Sequence, residues 1–455
     1  MKTSHSIESP DSSTNDLAGS LPPGIALQYS LKHSESLSIY KFRLDNGLTL
    51  LIARDLRVPN FCYQSWFGVG SRHENPGQTG LAHLLEHLMF RGTKRFPAGE
   101  LDRRLEALGA ETNAATSLDW TYYTQTLASS ADNLELIGAL EADRMRNLMF
   151  EPQSFEAERE VVLNEYYLSV ENQPYSQLLC TLNRAVFGAH PYGNLTIGEE
   201  QDIKGLTQEI TRSFYNTYYT PENATIIITG ALDLGETLQI MHQHYGKIQT
   251  KSLQTKTPIA PPREPQKAHH QTIQLNTTSP LVAIGYLAVA QTHENFAALR
   301  LLDEILNSGE SGRFYQRFVL EEQLAVDCGG SLLPSEDTGI FEFNFQMAPG
   351  KTPETLIRGV QELLDTLEDW LTERDLERAR NQLEMQFHLN FLGNDSISEI
   401  LGHHEMGFGD FRKAFSLPQR LAKVEHKEIV QVAKKLLAPH RQTSVVGLPK
   451  QHERI

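Results

Sequence analysis

The chain has 455 residues, 40% of them hydrophobic and 22% charged, which is too long for one ordinary core and predicts two large folding units of a globular protein. No apolar run approaches the length needed to cross a bilayer, so no membrane span is expected. A formal charge of −16, from 57 acidic against 41 basic residues, argues against nucleic acid as partner and favours neutral or cationic ligands.

Residues 1–36 read as a polar, flexible tail, because they offer little periodic apolar surface to offset the entropy of ordering. The opening "MKTSHSIESPDSSTNDLAGSLPPG" has neither the apolar segment of a secretory signal nor the acid-poor character of a transit peptide. Three widely spaced cysteines, Cys62, Cys180 and Cys328, make no disulfide framework, and a reducing, cytoplasmic setting is expected. Residues 37–250 form the first domain. Here "SIYKFRLDNGLTLLIA" places Asp45-Asn46-Gly47 between two β-favouring runs, the chemistry of a tight hairpin. A third, buried strand follows at "FCYQSWFGVG", then helices at "TGLAHLLEHLMFRG" and "LDRRLEALGA", the latter stopped by Gly109. Strand-like "TYYTQTL" precedes a long helix at "NLELIGALEADRMRNLMF".

Residues 251–270 are proline-rich and read as an extended linker, since Pro258, Pro261, Pro262 and Pro265 forbid helix. Beyond it, in residues 271–455, "QTIQLN", "SPLVAIGYLAV" and "ENFAALRLLDEILNSG" repeat the earlier order of strand, strand and amphipathic helix. The fold class expected is α+β, with a duplicated domain.

The chemistry concentrates at His83-Leu84-Leu85-Glu86-His87. Four apart on a helix, His83 and His87 share a face and both imidazoles can reach one Zn²⁺. Glu86 stands beside them as the base that takes a proton from the attacking water, in the inverted order of the commoner His-Glu-x-x-His pattern. A catalytic zinc takes three protein ligands, so one must come from elsewhere. The helical pattern "SFEAEREVVLNEYYLSVEN" is the best source: Glu158 and Glu165 share a face with Val161 and Val162, and a carboxylate pinned against an apolar stripe needs a partner such as a metal.

With these motifs the chain resembles the pitrilysin family, the inverted zincins that include insulin-degrading and mitochondrial processing peptidases. "GLAHLLEHLMFRGT" resembles the family's zinc helix, "FEAEREVVLNEY" its third-ligand helix, and "YTPENATIIITG" the strand closing the first domain. The resemblance implies His83, His87 and Glu165 as ligands, Glu86 as base, and Glu158 as a carboxylate orienting a ligand. It also places Asn113 and Ala114, in "NAATSLDWTYY", on an exposed edge strand that pairs with the backbone of a peptide substrate.

Family members usually carry in the second domain an Arg followed seven positions later by Tyr, which grip substrate and stabilise the tetrahedral intermediate. Those positions fall here on Val319 and Val326; Arg313 and Arg317 lie nearby, but neither has Tyr seven residues on. The expectation is therefore the zinc-bearing half of a heterodimer whose homologous partner supplies the pair. A stand-alone or homodimeric peptidase and a non-catalytic scaffold subunit are the alternatives. His403-His404-Glu405 fits no zinc template and reads as a solvated helix face, His269-His270 as exposed, "HPYG" at His190 to Gly193 as a turn, and Gly329-Gly330 as no phosphate loop.

Overall fold

The computed structural model describes residues 21–249 and 259–450, without the side chains of Leu101 and Asp102. It is α+β, as the sequence predicts, with two sheets. The seven-stranded first sheet comprises β1 (Ile25–Lys32), β2 (Leu37–Leu44), β3 (Thr49–Asp55), β4 (Asn60–Phe67), β5 (Glu111–Thr116), β6 (Thr121–Ala128) and β7 (Ala224–Gly230), in the order β1-β2-β3-β7-β4-β6-β5. The five-stranded second sheet comprises β8 (His269–Leu275), β9 (Leu281–Leu287), β10 (Ala325–Pro334), β11 (Gly339–Met347) and β12 (Thr443–Pro449), in the order β10-β11-β9-β12-β8.

The hairpin at Asn46-Gly47 forms as expected, with Arg43 opposite Thr49 and Gly47 at φ +83°, a conformation that glycine adopts without a Cβ penalty. One boundary needs correction. Part of the supposed tail, Ile25–Lys32, is strand β1, paired antiparallel with β2. Only Ile25 of this strand is buried, so it is held by ladder hydrogen bonds rather than by the apolar burial that a sequence pattern reveals. The first twenty residues of the tail lie outside the described residues.

The duplication is visible in the pairing. In the first sheet β3 runs parallel to β7, and β7-β4-β6-β5 continue antiparallel. In the second, β8 runs parallel to β12, and β12-β9-β11-β10 continue antiparallel. The two sheets thus correspond strand for strand, β1 and β2 being additions to the first.

The compact units are not consecutive in sequence. The first takes the described residues up to Val161, then 201–249 and Asn390–Phe411; the second takes Val162–Glu200, 259–389 and 412–450. To the reading of domains at 37–250 and 271–455 this adds an exchange of segments. Helix Pro174–Phe187, with Leu178, Leu182 and Val186 buried at intervals of four, packs on β9, β12 and β8. Helix Asn394–Phe408 packs on β7, β4 and β3. An amphipathic pattern tells that a helix has a sheet to cover, not which one. Of the linker, residues 259–268 carry no helix or strand, and 250–258 lie outside the described residues. No described helix is long and apolar enough to cross a membrane.

Helix Asn394–Phe408 approaches the first sheet at Gly402, where an added Cβ would meet Trp66 Cε2 at 2.2 Å. Gly402→Ala is expected to destabilise by about 1–3 kcal/mol through overpacking, measurable as a lowered denaturant midpoint with unchanged m. The same helix corrects the reading of His403-His404-Glu405 as a solvated face. His403 packs edge-on against Trp66 and Trp120, with centroids 5.1 and 4.9 Å away. Glu405 is buried, pairs with Lys41 and accepts the Phe411 N–H at 3.1 Å.

Candidate metal centre

Helix Leu81–Leu88 buries Leu81, Ala82, Leu84, Leu85 and Leu88, which leaves His83, Glu86 and His87 half-buried on its other face. Its N-cap, Gly80, has no side chain to satisfy the first N–H groups, and Glu74 does so instead. The buried Glu74 carboxylate accepts from Gly80 N at 3.0 Å and Ala82 N at 2.8 Å, and burial pushes its carboxyl well above the usual carboxylate range. Thr79 adds a tether, donating its hydroxyl to Asp202 at 2.7 Å. These groups fix the turn that carries His83.

The His83 and His87 rings lie 4.8 Å apart between centroids, at 74° to one another. Helix Pro152–Tyr166 brings up the carboxylates; the division between the two units falls within it, after Val161, but the helix is continuous. Phe155, Val162 and Leu163 are its buried anchors. Glu158, 3% exposed, places Oε2 at 3.5 Å from His87 Nδ1 and Oε1 at 2.6 Å from Arg91 Nε. A carboxylate on Nδ1 holds the imidazole so that Nε2 points to a metal. Two turns on, Glu165 offers an oxygen that lies with one nitrogen each of His83 and His87 inside a 4.8 Å group. Among the described residues it is the one group of three His, Cys, Asp or Glu side chains able to hold a metal ion. Two imidazoles and one carboxylate are the donor set of a catalytic zinc, so the residues present fit that ion.

Glu86 is held by a residue that the sequence did not point to: the Thr116 hydroxyl, at the end of β5, donates to Glu86 Oε2. Strand β5 is the outer edge of its sheet, and Asn113 and Ala114 lie on it, exposed and half-buried respectively. The Ala114 N–H is taken by Asn113 Oδ1 at 2.9 Å. Glu74, Arg91 and Thr116 were all missed by sequence reasoning. Arg91 alone left a signal, standing four residues after His87 in sequence, although the helix has ended at Leu88.

Val319 and Val326 offer no polar group. Val319 packs against the core of the second unit, and Val326 is exposed on β10. The nearby arginines are engaged elsewhere, Arg313 over the Trp370 ring at 5.3 Å and Arg317 with Glu322 at 2.5 Å. Tyr286 is buried and bonded to Gln361. Removing the carboxylate behind His87 tests the ligand's support: Glu158→Gln is expected to weaken zinc binding about 10- to 100-fold, read by chelator competition.

Comparison with known proteins identifies the family. Residues 63–200 match the family described as Insulinase (Peptidase family M16), and residues 205–383 match the Peptidase M16 inactive domain. The chain is 26% identical over 393 residues to the zinc protease PqqE of Helicobacter pylori, covering 84% of this chain and 86% of that one. It is 26% identical over 421 residues to the probable mitochondrial-processing peptidase subunit beta of Arabidopsis thaliana, covering 89% and 78% respectively. The crystal structure of a protease from Helicobacter pylori aligns with a TM-score of 0.85 at 25% identity, covering 90% of this chain and 99% of that one. The chain thus belongs to the pitrilysin or insulinase family, peptidase family M16.

Proposed function

We propose that this chain is the zinc-bearing subunit of a metalloendopeptidase, acting on peptides held in an extended conformation and completed by a homologous subunit that carries the Arg and Tyr absent here. The observation that carries the reading is the convergence of His83, His87 and Glu165 within 4.8 Å, with Glu86 on the same helix as the two histidines. A zinc ion held by those three residues supplies Lewis acidity, which lowers the pKa of water towards neutrality and polarises the scissile carbonyl. Glu86 takes the proton of the attacking water and hands it to the leaving amine, while the Thr116 hydroxyl on Oε2 steadies its side chain. The peptide backbone adds a strand to β5, taking over the Ala114 N–H that Asn113 now occupies, and such pairing tolerates many sequences. A cytoplasmic setting fits the three free cysteines.

The test is metal content together with hydrolysis. Purified chain is expected to hold about one zinc and, with its partner, to cleave an internally quenched peptide, losing activity to a chelator and regaining it with zinc. A folded chain that takes up no zinc would overturn the reading.

A further inference from the structure

Residues 69–74, between β4 and helix Leu81–Leu88, hold two elements at once. At their far end the Glu74 carboxylate caps that helix, and so sets where Glu86 stands. Their near end, Val69–Arg72, is bound to the loop 117–120 that joins β5 to β6, and so sets where Thr116 stands. Thr116 is the last residue of β5, and its hydroxyl donates to Glu86 Oε2. One short stretch of backbone thus places both sides of that contact.

The loop is tied down by backbone, hydroxyl and charge together. The Ser71 N–H donates to Ser117 O at 3.0 Å and the Arg72 N–H to Leu118 O at 2.9 Å. Gly70 allows the close approach, since an added Cβ there would stand 2.2 Å from Ser117 O. Thr121, opposite Thr116 across the β5–β6 ladder, donates its hydroxyl to Val69 O at 2.9 Å and lies 3.4 Å from the Thr116 hydroxyl. An ion pair completes the set: Arg72 Nη1 meets Asp119 Oδ1 at 3.0 Å, with side chains only 8% and 14% exposed.

Stability alone does not account for that pair. Removing two charges from water offsets much of their attraction, so well-packed apolar side chains would hold the loop to the core as firmly. What a guanidinium and a carboxylate add is direction, because they meet in a narrow range of geometries, and fixing register is the best-attested use of a buried pair. Ser117 and Leu118 are neighbours, so their two bonds hold the loop along one line. Asp119, one residue further on, adds the point that stops it rocking about that line and carrying Thr116 with it.

We infer that Arg72 and Asp119 are positioning residues for Glu86, acting through Thr116. The inference rests on the reading of Glu86 as the general base. Such a group works within about 0.5 Å of its productive place, and a misplacement of about 1 Å costs on the order of 10²-fold in rate.

The experiment compares the zinc-loaded full chain, assayed with the partner of the proposed reading, with Arg72→Met/Asp119→Leu, in which apolar side chains replace the pair. On an internally quenched peptide kcat is expected to fall about tenfold or more. KM, zinc content and Tm are expected to hold, because Asn113 and Ala114 stay laddered to Thr124 and Tyr123 and the buried contact is refilled. Thr116→Ala should lower kcat by a similar factor, and combining it with the pair variant should cost little more. Hydrogen exchange, read without substrate, should quicken about tenfold or more at the amides of residues 71 and 72 in the pair variant. Asp119→Asn, which keeps the shape of the side chain, is read in the same way should the apolar pair fold poorly. An unchanged kcat, or a loss as large in the Thr116→Ala background as in the parent, would overturn the inference. If the parent itself cleaves nothing, the hydrolytic reading falls and exchange alone decides: quicker exchange upholds the pair as the tether of the loop, and unchanged exchange overturns it.

Discussion

Glu86→Gln is expected to keep the full zinc content of the chain and to lower peptide hydrolysis by about 10²- to 10⁴-fold, the usual worth of a positioned general base. Glutamine preserves the shape of the side chain and can still accept the Thr116 hydroxyl, so the end of strand β5 and the helix Leu81–Leu88 stay as they are. What disappears is an oxygen able to take and return a proton. Loss should therefore fall on kcat with little change in KM, since in the proposed reading β5 rather than Glu86 holds the peptide. The His83→Ala chain makes the contrast, because it removes a ligand and should lose metal and activity together. A Glu86→Gln chain that cleaves at the parent rate would assign the base elsewhere.

The second large effect is expected from a partner. Val319 and Val326 present no donor to the oxyanion of a tetrahedral intermediate, and removal of a single such donor costs about 10²- to 10³-fold in kcat. A homologous subunit with Arg and Tyr at the positions matching these valines, and without a zinc motif, should therefore raise the rate of this chain by at least about 10²-fold when mixed in equal amount. Neither component alone should approach the rate of the mixture, and the Glu86→Gln chain should gain nothing from it. Full activity in the isolated chain, unchanged by such a homologue, would assign the enzyme to a stand-alone or homodimeric form.

The metal centre was largely legible because its code is local. His83, Glu86 and His87 are set by helical periodicity alone, and Glu158 and Glu165 stand seven apart on a second helix, where Val162 is buried as the pattern suggested but Val161 is exposed, against that reading. Asn46-Gly47 was equally plain, since positive φ is a property of one residue. The groups that steady the centre were not legible. Thr116 reaches Glu86 across thirty positions of sequence and Glu74 caps a helix from outside it, and neither spacing has a period that a pattern could reveal. Long-range pairing was hidden likewise: β3 meets β7 in parallel after most of the first unit has intervened, and helix Asn394–Phe408 carries nothing that names β4 as its cover. Glu405 misled for the same reason, because its partner Lys41 lies at the other end of the chain.

That exchanged helix also shapes how the protein is made. Strand β7 ends at Gly230, and the helix that covers Trp66 begins at Asn394, so one face of the nascent first sheet stays bare while about 160 more residues are synthesised. At about 5–20 residues per second this lasts roughly 10–30 s, far longer than the collapse of a chain of this size. Newborn chains should then depend on holding chaperones through that interval, and a ribosome stalled between β7 and Asn394 should release a product prone to aggregate through its tryptophan-bearing face.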